Sequence, residues 1–184
     1  VPMLQVPQLD SQVENFANTQ TKPYIVLHLG TDLNASDYMS PVNYRFHKVW
    51  SMGRWAELVQ KLKHKYRFVQ VYANEHNIDI PDCLSIKVDS ISPVLQLLQH
   101  PKCKMFVATD NYLHHLAASI KKPGIVLWGS VSPYVWGWNV KHHGVPFLEQ
   151  KQTDKVAELV KSGWITASIR KNDLGYYRAK FKKF

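Results

Sequence analysis

The chain has 184 residues and only two cysteines, Cys83 and Cys103. Their spacing suits neither a zinc ligand pair nor a redox dithiol. A disulfide scaffold is therefore excluded, and two free thiols in a reducing cytoplasm are expected. No run approaches the roughly 18 uninterrupted apolar residues of a membrane span. The opening VPMLQVPQLD has no basic region followed by an apolar one, so it is not expected to be a signal peptide. It also has no initiator Met, so the chain is expected to begin inside a longer protein. Gly-x-Gly-x-x-Gly, a Walker-type Gly-Lys-Ser/Thr, His-Glu-x-x-His and Gly-x-Ser-x-Gly are all missing. Dehydrogenase, P-loop, zincin and hydrolase readings lose their main support with them. His142-His143 is an adjacent pair whose side chains diverge, with no third ligand at a sensible spacing, so no metal is assigned.

What is present is ordinary globular material, 45% hydrophobic and 20% charged, enough for one domain with a real core. The formal net charge of +9 invites a nucleic-acid reading, but its distribution argues otherwise. Arg170 to Phe184 holds six Lys or Arg residues against one acid. The remainder carries a modest excess that a phosphate-ligand protein tolerates. The tail interleaves bases with aromatics in LGYYRAKFKKF. A solvated terminal helix or a subunit contact suits it better than RNA or an anionic membrane surface.

Residues 1–22 are polar and irregular, as in a linker or N-terminal extension. Pro23 opens a nearly continuous apolar strand over residues 24–29, the pattern of a central parallel strand. A long polar loop spans residues 30–49, a length that compact domains reserve for functional segments. Ser51 caps a helix running to about Tyr66, whose Trp55, Leu58, Val59 and Leu62 share one face. Strands are expected at 67–72 and 84–88. Ser92-Pro93 reads as the start of a helix through His100. A strand at 104–108, a helix at 111–120 and a strand at 124–128 follow. The stretch after Gly129, SPYVWGWNVKHHG, is aromatic and loop-like. A last helix runs from Thr153 to near Gly163, before the C-terminal tail. The alternation predicts an α/β fold, a Rossmann-like parallel sheet with right-handed crossovers and helices on both faces. The domain proper is placed at residues 23–150, with the last helix and tail at 151–184.

Four clusters fall at or just after strand ends, on one edge of that sheet. The turn containing His28, Gly30 and Thr31 lets backbone amides approach a phosphate. Lys48 closes the long loop and offers a point charge for a diphosphate. Glu75 lies beyond the second strand, where a carboxylate accepts ribose hydroxyls. The fourth cluster runs from Asp110 to His115, at a strand-to-helix junction where amides and dipole favour an anion. Singly, each has a plainer reading. Thr31 suits a turn and Lys48 a solvated lysine, while Glu75 suits a surface acid. Asp110 suits a helix N-cap worth about 1 kcal/mol, and one of His114 and His115 packs or faces water. Convergence on one edge is what favours a site.

The order HLGT, then KVW before an amphipathic helix, then a Glu past the next strand, then DNYLHHLAASIKKPGIVLWGSVSP resembles the C-terminal half of glycosyltransferase family 9. These are the heptosyltransferases, which have the GT-B fold. The similarity covers residues 20–145 and is most specific in the last block. It implies one half of a GT-B enzyme that binds a nucleotide-diphospho-sugar donor, commonly ADP-heptose. By motif, Thr31 and Lys48 meet the diphosphate, Glu75 the ribose and Asp110 the sugar hydroxyls. The amides of Asn111, Tyr112 and Leu113 cradle phosphate, with His115 nearby. The resemblance further implies inverting transfer with no metal and no cofactor. The general base lies in an acceptor-binding half, or a partner subunit, outside this chain, and the acceptor is a glycan or a lipid-linked sugar. Two departures are visible. Where the family has Asp, Ser or Thr, Gly, Leu, x, His, this chain has Asn111 and Tyr112 at the second and third places. A structural or assembly subunit that keeps the fold without catalysis is the alternative, and a nucleic-acid binder using the tail ranks last.

Overall fold

The computed structural model describes residues 11–30, 50–73, 79–128, 142–146 and 152–162. Six strands form one parallel sheet in the order β3-β2-β1-β4-β5-β6. They are β1 (Tyr24–His28), β2 (Arg67–Tyr72), β3 (Leu84–Lys87), β4 (Cys103–Thr109), β5 (Gly124–Trp128) and β6 (His142–Pro146). The helices are α1 (Ser11–Thr19), α2 (Met52–Leu62), α3 (Ile91–Gln99), α4 (Tyr112–Ser119) and α5 (Gln152–Ser162). Helices cover both faces, as the strand–helix alternation predicts.

The period-two geometry of a strand explains how one apolar run serves two cores. In β1, Ile25 and Leu27 point toward Trp55, Leu58, Val59 and Leu62 of α2 and toward Val156 and Val160 of α5. Tyr24 and Val26 point the other way, into a core shared with α1, α3 and α4. Every residue of β1 is buried, so its YIVLH sequence cannot alternate polar with apolar. The same division recurs in β4, where Met105 and Val107 face one core and Phe106 and Ala108 the other.

Tyr24 carries a second duty. Helix α3 ends before Pro101, which has no N–H to give the Leu97 carbonyl four residues earlier. The buried Tyr24 hydroxyl donates to that carbonyl at 2.7 Å. Its ring meets Phe16 of α1 edge-on, with centroids 5.1 Å apart. One side chain thus ties β1, α1 and α3 together, and burial raises its phenol pKa well above the ordinary range.

Several elements differ from expectation. Residues 11–19, read as irregular, form α1, and Val13, Phe16 and Ala17 bury one helical stripe despite the Asn and Gln around them. Helix α3 starts earlier than the Ser92-Pro93 pair suggests. Ser90 is its N-cap and Pro93 sits inside the first turn, where its missing N–H costs nothing. Strand β6 was read as loop. His142–Pro146 has little β propensity, but pairing with all of β5 defines it, and an edge strand tolerates proline. Helix α2 stops at Leu62 rather than Tyr66, and β4 gains a residue at each end. Strands β2 and β5 have the expected bounds. Both cysteines are free, and burial pushes each thiol up to about 12, so neither is a thiolate at neutral pH.

Tyr24→Phe keeps the ring and removes the donor to the Leu97 carbonyl. The expected cost is about 1–3 kcal/mol in urea denaturation, the penalty of a buried acceptor left unmet. Gly124→Ala is expected to cost about as much or more, because a Cβ there would land on the buried Phe106 ring.

Candidate functional site

Strand order reverses direction on either side of β1. Helix α2, which leads from β1 to β2, lies on one face, and α3 and α4, which lead to β4 and β5, lie on the other, so the carboxyl ends of β1 and β4 open a crevice. Ligands of open α/β sheets bind at such a switch point. His28 ends β1, and Thr109 and Asp110 end β4. All three are buried.

The turn from β4 into α4 is built from short polar side chains bonding to nearby backbone. Asn111 is the N-cap, and its Oδ1 accepts from the Leu113 amide at 2.9 Å. Its Nδ2 donates to Thr109 Oγ1 at 3.1 Å. Thr109 Oγ1 reaches back to the Leu29 carbonyl at 3.5 Å, which ties the β4 turn to the end of β1. The capping role expected of Asp110 therefore belongs to Asn111. The Leu113 amide, expected to face phosphate, is occupied by the cap.

Relieved of capping, the Asp110 carboxylate accepts from Nε2 of His114 at 3.1 Å. His114 lies one helical turn further on and is fully buried. Of the two adjacent histidines, His114 is the one that packs. Its ring stands edge-on to Trp128 at the end of β5, with centroids 5.5 Å apart. His115 is partly exposed, 3.8 Å from His114 ring to ring. Desolvation, then the neighbouring His114, hold its pKa below the ordinary imidazole range, while Asp110 opposes the shift. Asp110, His114 and His115 place one ligand atom each within 4.8 Å of one another. A cation there would have to displace the Asp110–His114 hydrogen bond.

Tyr112 does not stand free in the crevice. Its ring packs edge-on against His28, with centroids 4.8 Å apart and planes at 85°. The first residue of α4 thereby closes against the last residue of β1, across the switch point. The pattern of a phosphate turn at His28 does not predict this pairing; its only signal in the sequence is an aromatic at each of the two element ends. The crevice thus holds His28, Asp110, Asn111, Tyr112 and the two histidines. Thr31, Lys48 and Glu75 lie outside the described residues.

A family model described as glycosyltransferase family 9 (heptosyltransferase) matches residues 4–164. The chain belongs to glycosyltransferase family 9. Among solved structures it is similar to the E. coli heptosyltransferase WaaC with ADP. The two share 19% identity at a TM-score of 0.62, over 88% of this chain and 51% of that one. The same E. coli enzyme with ADP-2-deoxy-2-fluoro heptose gives 19% identity and a TM-score of 0.58, over 88% and 50%. A family 9 glycosyltransferase from Veillonella parvula gives 16% identity and a TM-score of 0.54, over 85% and 46%. At these identities the likeness is one of fold, a Rossmann-like half of GT-B type. The chain spans about half the length of the solved structures it matches. No curated protein sequence matches it. No helix among the described residues is long and apolar enough to cross a membrane.

The lowered His115 pKa fixes a sign. The unfolded chain protonates this residue first, near pH 6.5. Its contribution to stability is complete above that pH and is lost as pH falls toward the folded pKa. Proton NMR should place the His115 midpoint below that of an exposed histidine. His115→Gln should flatten the fall of the urea midpoint between about pH 6.5 and 5.

Proposed function

We propose that this chain is the donor-binding half of an inverting glycosyltransferase that uses a nucleotide-diphospho-sugar, with ADP-heptose or a related ADP-sugar first among candidates. The observation that carries the reading is the crevice at the β1–β4 switch point, with a buried carboxylate, Asp110, at its edge in a family 9 chain. The solved relative holds ADP in one structure and an ADP-sugar analogue in another.

On this reading Asp110 takes the sugar hydroxyls. Its Oδ1 is engaged by His114, which orients the carboxylate. With the Leu113 amide consumed by the cap, the amides of Asn111 and Tyr112 face the phosphate. Thr31 and Lys48 supply the remaining diphosphate contacts, Glu75 holds the ribose, and His115 lines the pocket. A carboxylate from an acceptor-binding half removes the proton of the acceptor hydroxyl. The hydroxyl oxygen then bonds to the anomeric carbon as the bond from that carbon to the diphosphate breaks, with inversion. The electron pair leaves on the diphosphate, where Lys48 and the helix-start amides offset the charge without a metal. The acceptor is a glycan or a lipid-linked sugar. The transferase acts in the cytoplasm, where nucleotide sugars are held, and this half alone binds donor without turnover.

A second reading keeps the fold and drops the chemistry, as in a structural or assembly subunit. Tyr112 favours it, since the Tyr112–His28 pair fills the place where a glycine would let backbone reach a diphosphate.

Calorimetric titration separates the two. Under the donor reading ADP and an ADP-sugar saturate one site, UDP and GDP sugars bind more weakly, and EDTA changes nothing. Asp110→Ala then weakens the ADP-sugar at least tenfold while leaving ADP within about threefold, since the sugar carries the contact. Absence of saturable binding by any of these ligands contradicts it and leaves the subunit reading.

A further inference from the structure

The opposite end of the sheet has a different character. Lys22 precedes β1, and Lys63, Lys65 and Arg67 lead into β2. Lys102 and Lys104 flank the start of β4, and Lys121 and Lys122 precede β5. Because β2, β1, β4 and β5 are adjacent and parallel, these eight cations share the amino-terminal rim of the sheet. At about 4.8 Å per strand, the four strand starts span roughly 15 Å. Lys61, in the last turn of α2, joins them, and among the described residues the rim has two acids, Asp82 paired with Lys63 at 2.8 Å and Asp154 paired with Lys61 at 2.9 Å. Elsewhere the described residues carry six acids against four bases. Positive charge is segregated at one end of the domain.

The local bonds do not neutralise it. Lys22 donates to the His64 carbonyl at 2.9 Å, Lys102 to the Gln20 carbonyl at 2.8 Å and Lys122 to the Cys103 carbonyl at 2.7 Å. Each contact is to a dipole and leaves the ammonium its charge and further donors. The C-termini of α1, α2, α3 and α4 also end here, and each supplies roughly half a negative charge. Together these offset about two of the seven net positive charges. The ammoniums act on common ground. After desolvation, the causes that lower the pKa of His100 are Lys102 and Lys122, which come from different loops.

We propose that this rim is a docking surface for an anionic lipid bilayer. A single charged partner needs a pocket or a matched acid pattern, whereas a bilayer needs only several exposed cations near one plane. Lys65, Arg67, Lys102, Lys104 and Lys121 are exposed. The Tyr66 ring beside Lys65 is buried and offers no platform for stacked bases. Among the described residues the strand starts project no helix or ribbon for a duplex groove. The rim lies roughly 20 Å, the length of β4, from the crevice. Docking therefore leaves the crevice open, and the inference stands whether or not the crevice takes a sugar nucleotide.

The test is sedimentation of the full chain with vesicles of phosphatidylcholine, with and without about one third phosphatidylglycerol. The chain should partition onto the anionic vesicles only, and molar salt should release it. Replacing Lys104→Gln and Lys121→Gln together should lower partitioning about 25-fold, at roughly fivefold per charge near the surface. The same charge change at the other end, Arg54→Gln with Lys87→Gln, should leave it within about twofold. Circular dichroism confirms that each variant is folded. Equal losses in the two variants, no preference for anionic vesicles, or retention only by RNA or an acidic peptide would overturn the proposal.

Discussion

Strand β1 hydrogen-bonds to β2 on one side and to β4 on the other, and all three run parallel. The chain can meet that constraint only by crossing the sheet in opposite directions on its two sides. The reversal sets a crevice at the β1 and β4 carboxyl ends, where the candidate ligand groups of the described structure gather. The same constraint requires β1 to be buried on both faces, which its unbroken YIVLH run satisfies. It also brings Tyr24 to the point where α3 lacks a donor for its Leu97 carbonyl. Fold and site thus share one cause.

The polar turn after β4 shows how the site is held. Asn111 in place of a hydroxyl residue still caps α4, but it also spends one amide that a phosphate would otherwise meet. With Asn111 as the cap, Asp110 turns to the buried His114, which holds the carboxylate in one orientation. Tyr112 in place of glycine is not an isolated intrusion. It finds His28 across the crevice, so the departure at Tyr112 is matched by a contact with the end of β1.

Elements with strong periodicity were legible in the sequence. The Trp55, Leu58, Val59, Leu62 stripe, strands β2 and β5, and the strand–helix junction at Asp110 all follow from spacing. What escaped was decided by partners rather than by local preference. Helix α1 has only three apolar residues, and only its packing under Phe16 and Tyr24 fixes it. Strand β6 exists because β5 offers an edge. The exchange of capping from Asp110 to Asn111 turns on a single side-chain bond that spacing cannot resolve. The charge segregation could have been found from sequence, since a lysine or arginine recurs at the start of four strands.

The measurement closest to the central claim is a crystal structure of the chain with ADP. The account places the diphosphate between the end of β1 and the start of α4, within hydrogen-bond reach of the Asn111 and Tyr112 amides. The terminal phosphate should point toward Asp110. ADP held at the lysine-lined amino-terminal rim, or a crevice left empty with the Tyr112 ring closed on His28 at saturating ADP, would contradict it.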